Sequence, residues 1–339
     1  MQREISMNKN KNLTIDDIAL ELGVSKTTVS RAISGKGRIS KATRDRILAY
    51  IKKANYRPSA AAKGLAESKT YNVALVMPRS LFKLDIPFVR KSMTAICEEA
   101  FLQGYYILLC LSTDDNPATL LRTLDNRKVD GVILARTVEN DPLVDILSQR
   151  DIPFATMGSL AADAKGKATV EADHDQVGGC CAFTTAFLRG YTGKLGILGN
   201  DPNYIVNQSR LRGVQMALSS TNLPEDSVFI RHNVNSATAC AEAVEEMLAQ
   251  GVTRFIAMDD EICADVVPYL QQKGLDVPND VQVGALFDTA RLAAFTPAVP
   301  ALKFDTADLG RVACRELLHH LRGEDFVRNP TLGYRILMH

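Results

Sequence analysis

The run from Gly23 to Ile33, GVSKTTVSRAI, constrains the fold of this chain more than any other segment. A short helix is expected over residues 15–22, directly before this run, because apolar residues recur there on one helical face. Thr14 is expected to be its N-cap. Gly23 supplies a tight turn, and Ser25 is expected to cap a second helix. Two short helices joined in this way form a helix-turn-helix, whose second helix lies in the DNA major groove.

The second helix would place Val29 and Ala32 inward and leave long donors and short hydroxyls outside, where they can reach base edges or phosphates. Ser40 is expected to cap a third helix, Lys41–Ala54. The residues predicted to contact DNA in this region are Thr14, Ser25, Lys26, Thr27, Thr28, Ser30, Arg31, Ser40 and Tyr56. A small three-helix domain with a solvated basic face is the alternative interpretation of the same pattern.

Charge is divided unevenly along the 339 residues. Residues 1–70 hold 15 Lys and Arg against 6 Asp and Glu, whereas the remaining residues hold 25 against 33. A basic first part on an acidic body is the asymmetry expected when only one part of a protein meets phosphate. The length predicts two or three domains. Residues 1–12 are polar and are predicted to be a disordered tail.

Several classes of function are disfavoured by the sequence. The seven cysteines form no zinc-type pairs with histidines, so we expect reduced thiols, no metal and no cofactor. The N-terminus lacks the apolar core of a secretion signal, and no apolar run reaches the ~18 residues that span a bilayer. We therefore expect a cytoplasmic, nucleoid-associated protein without a membrane partner. The five histidines sit beside no nucleophile in a recognised motif, so no enzyme is expected.

From Tyr71 onward, short apolar runs alternate with amphipathic helical stretches such as Val89–Gln103 and Ala237–Ala249. This alternation predicts parallel sheets covered by helices on both faces. A break near Glu171–Asp175 divides the body into two α/β subdomains. The predicted strands are Val73–Met77, Tyr106–Leu111, Gly131–Leu134, Pro153–Thr156, Leu195–Leu198, Val228–Ile230, Phe255–Met258 and Val281–Leu286.

The order TIDDIALELGVSKTTVSRAISGKGRISKATRDRI, then YRPSAAAKGLAESKT, then YNVALVMP, resembles the LacI/GalR family of bacterial transcriptional repressors. The likeness extends over the whole chain. It implies that Pro58–Ala66 is a hinge helix in which Leu65 wedges between central base pairs and Lys63 reaches the minor groove, with Ser59 as a further contact. The short segment, weakened by Gly64, agrees with a helix that orders only on DNA. Alternatively, Leu65 is a linker residue that packs on the body.

The resemblance also implies a periplasmic-binding-protein-like body of two Rossmann-like subdomains, joined by three crossovers near Val170, Pro300–Phe304 and Asn329–Leu332. The implied domains are a helix-turn-helix at 13–57, a hinge and linker at 58–70, and a body at 71–339. Within the body, one subdomain would hold about 71–170 and 301–328, and the other about 171–300 and 329–339. The C-terminal helix, Leu309–Leu321, would return to the first subdomain.

The cleft between the subdomains is the expected effector site, because ligands of open α/β sheets bind beyond the carboxyl ends of the strands. The resemblance implies that Phe88, Asp173, Arg210, Asp259 and Asp260 are effector contacts, and the loops that follow strands add Arg136, Phe287 and Asp288. The family pattern Gly-Phe/Tyr-Asp-Asp is replaced here by Ala285-Leu286-Phe287-Asp288, which puts an aromatic ring where an aspartate is usual. Either Asp288 substitutes for that aspartate, or the ligand stacks on the ring.

The resemblance therefore implies a homodimeric repressor, and the segments VDGVILAR and DIPFATMGS are most similar to the carbohydrate-responsive branch, which implies control of a carbohydrate-utilisation operon. The repressor would bind a pseudo-palindromic double-stranded operator and be released by a small-molecule effector, for which a sugar is preferred. Two alternatives stay open. A corepressor, such as a purine or a partner protein, would strengthen DNA binding instead, and a solute-binding module would share only the body.

Overall fold

A computed structural model describes residues 13–35, 37–56, 64, 67–79, 87–112 and 117–338. The predicted tail at 1–12 and the hinge residues Ser59, Lys63 and Leu65 lie outside the described residues. Internal contacts divide the chain into two compact units, with the division after Thr70. In the part of the chain that is described, no helix is both long and apolar enough to cross a bilayer.

The first unit contains α1 (Ile15–Leu22), α2 (Lys26–Ser34) and α3 (Lys41–Lys53). The hydroxyls of Thr14, Ser25 and Ser40 cap these helices by accepting hydrogen bonds from backbone N–H groups three residues later. Gly23 ends α1 in the left-handed conformation, with φ of 63°, which glycine adopts without a Cβ clash. The helix-turn-helix prediction is confirmed.

This unit has a small apolar core, to which each helix contributes one or two residues. The fully or nearly fully buried side chains are Ile18, Ala19, Val29, Ala32 and Ile47. Ile18 and Ala19 are neighbours in α1, and Val29 and Ala32 are three residues apart in α2, so each pair lies on one face of its helix. The local sequence pattern thus sets both the helices and the faces they bury.

The first lobe of the body is a parallel five-stranded sheet in the order β2-β1-β3-β4-β5. Its strands are β1 (Asn72–Pro78), β2 (Tyr106–Ser112), β3 (Gly131–Leu134), β4 (Phe154–Met157) and β5 (Val170–Ala172). Alternate residues of β1 enter different cores, because successive side chains of a strand point to opposite faces. The sheet is therefore buried on both sides, which explains the continuous apolar run of β1.

Helices α4 (Pro87–Leu102), α5 (Ala118–Asp125) and α6 (Pro142–Gln149) cover this sheet together with α11 (Thr306–Arg322). The C-terminal α11 packs closely against α4. A Cβ at Gly310 would lie 2.8 Å from the carbonyl oxygen of Ser92, so only glycine allows this approach. The helix that is last in sequence thus completes the first lobe.

The second lobe is a six-stranded sheet in the order β11-β10-β9-β8-β6-β7, parallel except for β11, which runs antiparallel to β10. Its strands are β6 (Lys194–Leu198), β7 (Val228–Arg231), β8 (Val252–Ala257), β9 (Gln282–Ala285), β10 (Ala301–Phe304) and β11 (Tyr334–Leu337). Its helices are α7 (Gln176–Phe187), α8 (Ile205–Leu218), α9 (Ala237–Ala249) and α10 (Asp260–Gln272). Single 3₁₀ turns occur at Ala162–Ala164, Glu225–Ser227 and Leu292–Ala294.

The chain passes between the lobes three times, and the third passage lies inside the predicted crossover at 329–332. Residues 170–172 form β5 of the first sheet and residues 301–304 form β10 of the second, so the approximate divisions predicted at 170/171 and 300/301 lie a few residues too early. Each of these strands completes its own sheet before the chain crosses. The first and third crossovers meet in a bridge between Asp173 and Thr331, where Leu332 N–H donates to the Asp173 carbonyl at 2.7 Å.

Candidate DNA-binding and effector sites

The outer face of α2 carries the side chains that were predicted to read DNA. Lys26, Thr27, Ser30 and Arg31 are all exposed, whereas Val29 on the other side of the helix is buried. The exposed set presents two cations and two hydroxyls, which is the donor and acceptor mixture that contacts phosphates and base edges. The spacing of α2 thus creates a polar face suited to a groove.

Four of the other predicted DNA contacts already hold structural hydrogen bonds. Ser25 and Thr28 hydroxyls lie 2.8 Å apart at the start of α2, and Thr14 donates to Asp17 at 2.6 Å. Ser40 caps α3 in the same way. Tyr56 is half-buried against the core of the unit, and burial raises the pKa of its hydroxyl. These residues hold the helices in place, and their contact with DNA stays a prediction.

A cavity of about 140 Å³ lies between the two lobes, at the carboxyl ends of the parallel strands. Loops that follow β3, β4 and β5 supply its wall in the first lobe, and loops that follow β8 and β9 supply the opposite wall. Seven of the predicted effector contacts line it: Phe88, Arg136, Asp173, Arg210, Asp259, Asp260 and Phe287. The topology therefore brings together residues that are up to 199 positions apart in sequence.

Arg210 of α8 is the buried cation of this cavity. Its Nε donates to Gln176 Oε1 at 3.3 Å and its Nη1 donates to the Met258 carbonyl at 2.9 Å. Burial lowers the pKa of the guanidinium, which still stays charged at neutral pH. The carboxylates of Asp259 and Asp260 lie close enough to oppose this lowering electrostatically. A ligand acceptor in the cavity would therefore meet a buried guanidinium flanked by two acidic groups.

Four carboxylates face the cavity, those of Asp173, Asp259, Asp260 and Glu261, and hydrogen bonds anchor the three that were predicted. Asp173 accepts from Ser159 Oγ at 3.0 Å, and Asp260 accepts from Thr289 Oγ1 at 2.6 Å. Asp259 caps α10 by accepting from the Ile262 N–H at 2.9 Å, and desolvation raises its pKa. A carboxylate offers about four acceptor positions, so each anchored group keeps capacity for ligand donors.

Aromatic rings form the apolar part of the site. Phe88 from the first lobe meets Phe287 from the second edge to face, with ring centroids 6.5 Å apart. Phe287 in turn stacks on Phe304 at 6.3 Å, and the Arg210 guanidinium lies 5.2 Å from its centroid. The ring that replaces the family's aspartate is therefore part of a buried aromatic column rather than a solvent-exposed side chain.

Asp288 does not line this cavity. Its carboxylate accepts from Lys303 Nζ at 2.8 Å, and the pair lies on the far side of the Phe88 and Phe287 rings. Side chains alternate along an extended segment, so Phe287 and its neighbour point in different directions. The hypothesis that Asp288 takes the place of the missing aspartate is corrected by this geometry.

His174 is a cavity residue that sequence reasoning did not select. It is buried, and its Nε2 lies 2.8 Å from the Asp305 carbonyl, which can only accept, so this nitrogen carries the proton. Burial lowers the pKa of the imidazole, which leaves Nδ1 as a neutral acceptor. Its position directly after Asp173 was the available signal.

Other polar cavity residues that were missed lie on α8, at the start of α7 or α10, or in loops after strands. They are Thr137, Ser159, Gln176, Asn207, Ser209 and Glu261. Asn207 lies three residues before Arg210 on the same helix, a spacing that places both side chains on one face. Helical periodicity around the arginine would have identified it.

Comparisons with known proteins agree on the family. Residues 14–59 match the family model "Bacterial regulatory proteins, lacI family", and residues 188–336 match "Periplasmic binding protein-like domain". Catabolite control protein A of Priestia megaterium is 28% identical over 318 residues, covering 92% of this chain and 94% of that protein. The HTH-type transcriptional repressor PurR of Haemophilus influenzae (strain PittEE) is 26% identical, covering 92% of each.

Two solved structures share the fold along nearly the whole chain. The Lac repressor dimer bound to operator and the anti-inducer ONPF gives a TM-score of 0.76 at 18% identity, covering 97% of this chain and 98% of that one. The complex of the transcriptional regulator CelR with cellobiose gives 0.68 at 23% identity, covering 96% and 98%. The chain thus carries a LacI-family helix-turn-helix domain followed by a two-lobed periplasmic-binding-protein-like α/β body, and the relatives it matches are LacI-family transcription regulators.

Proposed function

We propose that this protein represses a carbohydrate-utilisation operon and that a sugar bound between the two lobes of the body relieves the repression. The observation that carries the proposal is the composition of the cavity. Aromatic rings stand beside anchored carboxylates and a buried guanidinium in one enclosed space. This combination suits a ligand that has apolar faces and many hydroxyl groups.

Each wall of the cavity would meet a different part of a sugar. The C–H face of the ring would pack on Phe88 or Phe287, whose faces are partly negative and attract polarised hydrogens. Hydroxyl groups would donate to Asp173 or Asp259 and accept from Arg210. The CelR structure named above contains cellobiose, which supports a carbohydrate as the ligand of this fold.

On the DNA side, the outer face of α2 would enter the major groove of each half of a pseudo-palindromic operator. The charge on residues 1–70 supports the necessary attraction to phosphate. From the hinge segment, Ser59, Lys63 and Leu65 would contact the minor groove. Wedging Leu65 between base pairs would trade unstacking energy for a bent operator and a larger contact.

A homodimer is supported by an exposed apolar surface on the first lobe. Phe101, Leu102 and Tyr106, at the end of α4 and the start of the edge strand β2, are 72%, 78% and 66% exposed. Apolar side chains clustered on a sheet edge are typical of protein–protein contacts. A second copy of this chain would bury them and place two helix-turn-helix units together.

Sugar binding would release the operator by favouring one arrangement of the lobes. The two walls of the cavity belong to different lobes, so a ligand that touches both has different affinities for different lobe arrangements. Such differential affinity is what shifts a conformational equilibrium. A protein with these properties acts on DNA in the cytoplasm.

Fluorescence anisotropy tests the proposal, using a labelled promoter fragment of the neighbouring operon and a scrambled fragment at two salt concentrations. We expect site-specific, salt-sensitive binding that is weakened by one member of a panel of mono- and disaccharides. Absence of specific binding would reject the regulator. A purine or partner protein that strengthens binding would reject induction by a sugar in favour of a corepressor.

A further inference from the structure

The two lobes touch not only at the crossovers but also at a second place beside the cavity. The loop after β3 in the first lobe lies against the segment that leads into α8 in the second. We name this contact, formed by residues 136–139 and 203–208, the cleft clasp. Val138 and Tyr204 form an antiparallel β-bridge across the cleft.

Two backbone hydrogen bonds close the clasp. The Glu139 N–H donates to the Asn203 carbonyl at 3.0 Å, and the Ile205 N–H donates to the Thr137 carbonyl at 3.2 Å. This pattern makes residues 138 and 204 a non-hydrogen-bonded antiparallel pair, in which Cα atoms stand about 4.5 Å apart. The lobes are thus joined here by the same bonds that join neighbouring strands.

Side chains reinforce the backbone contact. The Arg136 guanidinium lies 3.7 Å from the centroid of the Tyr204 ring, which is a close cation–π stack. Gln208 Nε2 donates to Glu139 Oε2 at 3.2 Å. Every one of these contacts joins two protein groups, so none of them requires an effector atom.

Each half of the clasp is held in shape by its own lobe. In the first lobe, Asp141 accepts from the Val138 N–H at 3.2 Å, and Thr137 Oγ1 donates to the Ser159 carbonyl at 2.9 Å. In the second lobe, Asp201 Oδ1 accepts from the Asn203 N–H at 2.9 Å. Both halves therefore meet with little loss of conformational entropy.

We propose that the cleft clasp closes the body by itself, and that Arg136 is a positioning residue that holds the lobes together through Tyr204 rather than an effector ligand. Closure before binding raises the population of the arrangement in which both cavity walls can contact an effector. Opening of the clasp then becomes the step that admits the effector.

Cysteine cross-linking of the full chain, purified without added sugar, tests this proposal. The Val138→Cys/Tyr204→Cys pair meets the Cα spacing of a disulfide, whereas Glu139→Cys/Tyr204→Cys is shifted by one residue and points to the other face. We expect rapid formation of the 138–204 disulfide, mapped by mass spectrometry against the seven native cysteines, and at least ten-fold slower formation in the shifted pair. No 138–204 disulfide, or equal rates for both pairs, would overturn the proposal.

Hydrogen exchange on the unmodified chain keeps the test independent of whether the cysteine variants fold. The Glu139 and Ile205 amides should be protected without added sugar, and exchange at the rate of exposed loop amides would overturn the clasp. Arg136→Gln should speed exchange at both amides about two- to five-fold, as loss of a cation–π contact predicts, and Arg136→Lys should speed it less. The Glu171 amide, bonded to the Arg328 carbonyl at a crossover, should not change.

These measurements do not depend on the identity of the effector or of the operator. The clasp proposal can therefore be refuted by experiments in which operator binding and the sugar response are still observed. Conversely, the proposed function can be refuted while the 138–204 cross-link still forms.

Discussion

The helix-turn-helix unit and the two-lobed body are built from different kinds of sequence information. In the first unit, caps and helical faces are set within spans of about ten residues, and five buried side chains form the core. In the body, each lobe depends on segments far apart in the chain, such as α11 packing on α4. A local defect should therefore disable the small unit, whereas the body should be sensitive to its closest long-range contacts.

The largest effect is expected at a close contact between two helices of the body. A Cβ at Gly213 of α8 would lie 2.5 Å from the Val177 carbonyl oxygen and 2.7 Å from Cys180 Cβ on α7. Gly213→Leu should therefore lower the free energy of unfolding of the body by about 3 kcal/mol or more, as overpacking does. Urea denaturation followed by circular dichroism measures this. Gly333→Ala, where no atom lies within 4 Å, is the control, and equal effects would contradict the argument.

A matched pair of core truncations compares the two units directly. Ile47 and Ile256 are both fully buried, the first in the helix-turn-helix core and the second in β8. Each change to alanine should cost about 2–5 kcal/mol. Because the first unit has so little core, Ile47→Ala should unfold it and abolish operator binding while the body stays folded.

Proteolysis combined with anisotropy checks this pair. Cleavage of the Ile47→Ala variant should be confined to residues 1–70. Ile256→Ala should leave operator binding intact below its lowered melting temperature. Unfolding of the body in both variants would contradict the independence of the two units.

Arg210→Gln should separate effector response from DNA binding. A hydrogen bond to a charged donor contributes about 1.5–3 kcal/mol, so affinity for the active sugar should fall roughly 10- to 100-fold. Operator affinity should stay within about two-fold, because the variant leaves the exposed polar face of α2, which is proposed to contact DNA, unchanged. Isothermal titration with the sugar identified in the screen measures the loss.

Asp288→Asn is the control for this prediction, since Asp288 lies outside the cavity and pairs with Lys303. It should change sugar affinity less than about three-fold, the scale of a partly exposed ion pair. A loss as large as that of Arg210→Gln would restore Asp288 as an effector ligand.

A smaller effect is expected from the loss of one helix cap. Ser25→Ala removes the hydrogen bond from the Thr28 N–H at the start of α2 and should cost about 1 kcal/mol. In the small first unit this lowers the melting temperature by several degrees. Ser236→Ala removes the matching cap of α9, and the larger body should shift less. Calorimetry that resolves both transitions checks the difference.

The smallest effect concerns pH. Burial depresses the pKa of His174 below its ordinary 6.5, so the folded body holds a neutral imidazole where the unfolded chain becomes protonated. The body should thus be unaffected by this group above pH 6.5 and should lose stability as pH falls below it. His174→Gln should flatten that part of the stability profile, measured by denaturant unfolding at pH 5.5 and 7.5. An unchanged slope would show that other groups cause it.

Prediction from sequence succeeded where periodicity and strand–helix alternation are strong. The three caps and α2 were correctly placed, and the strand Gly131–Leu134 and the helix Ala237–Ala249 were found at their observed bounds. It failed at 170–172 and 301–304, which are strands of three and four residues next to crossovers. Unlike Gly131–Leu134, these two segments contain a charged residue, Glu171 or Lys303, so neither forms a continuous apolar run, and only pairing with neighbouring strands defines them.

The effector site shows the same division. Arg210 and the acidic residues were selected because the family resemblance marks them, and strand ends placed them at one edge of the sheets. His174 and Asn207 were missed, because their only signals are the position after Asp173 and the helical spacing to Arg210, and both matter only once those two residues are placed in the cavity. Asp288 was misplaced since its direction depends on Lys303 of β10, fifteen residues away.

The sequence by itself determined the helix-turn-helix unit, the exposed polar face of α2 and the alternating architecture of the body, because these follow from local propensity and periodicity. Tertiary structure alone decided which side of the Phe88 and Phe287 rings Asp288 occupies. It also decided the charge state of His174 and the bridge between Val138 and Tyr204. Those properties arise from burial and from contacts between distant segments, which no local pattern encodes.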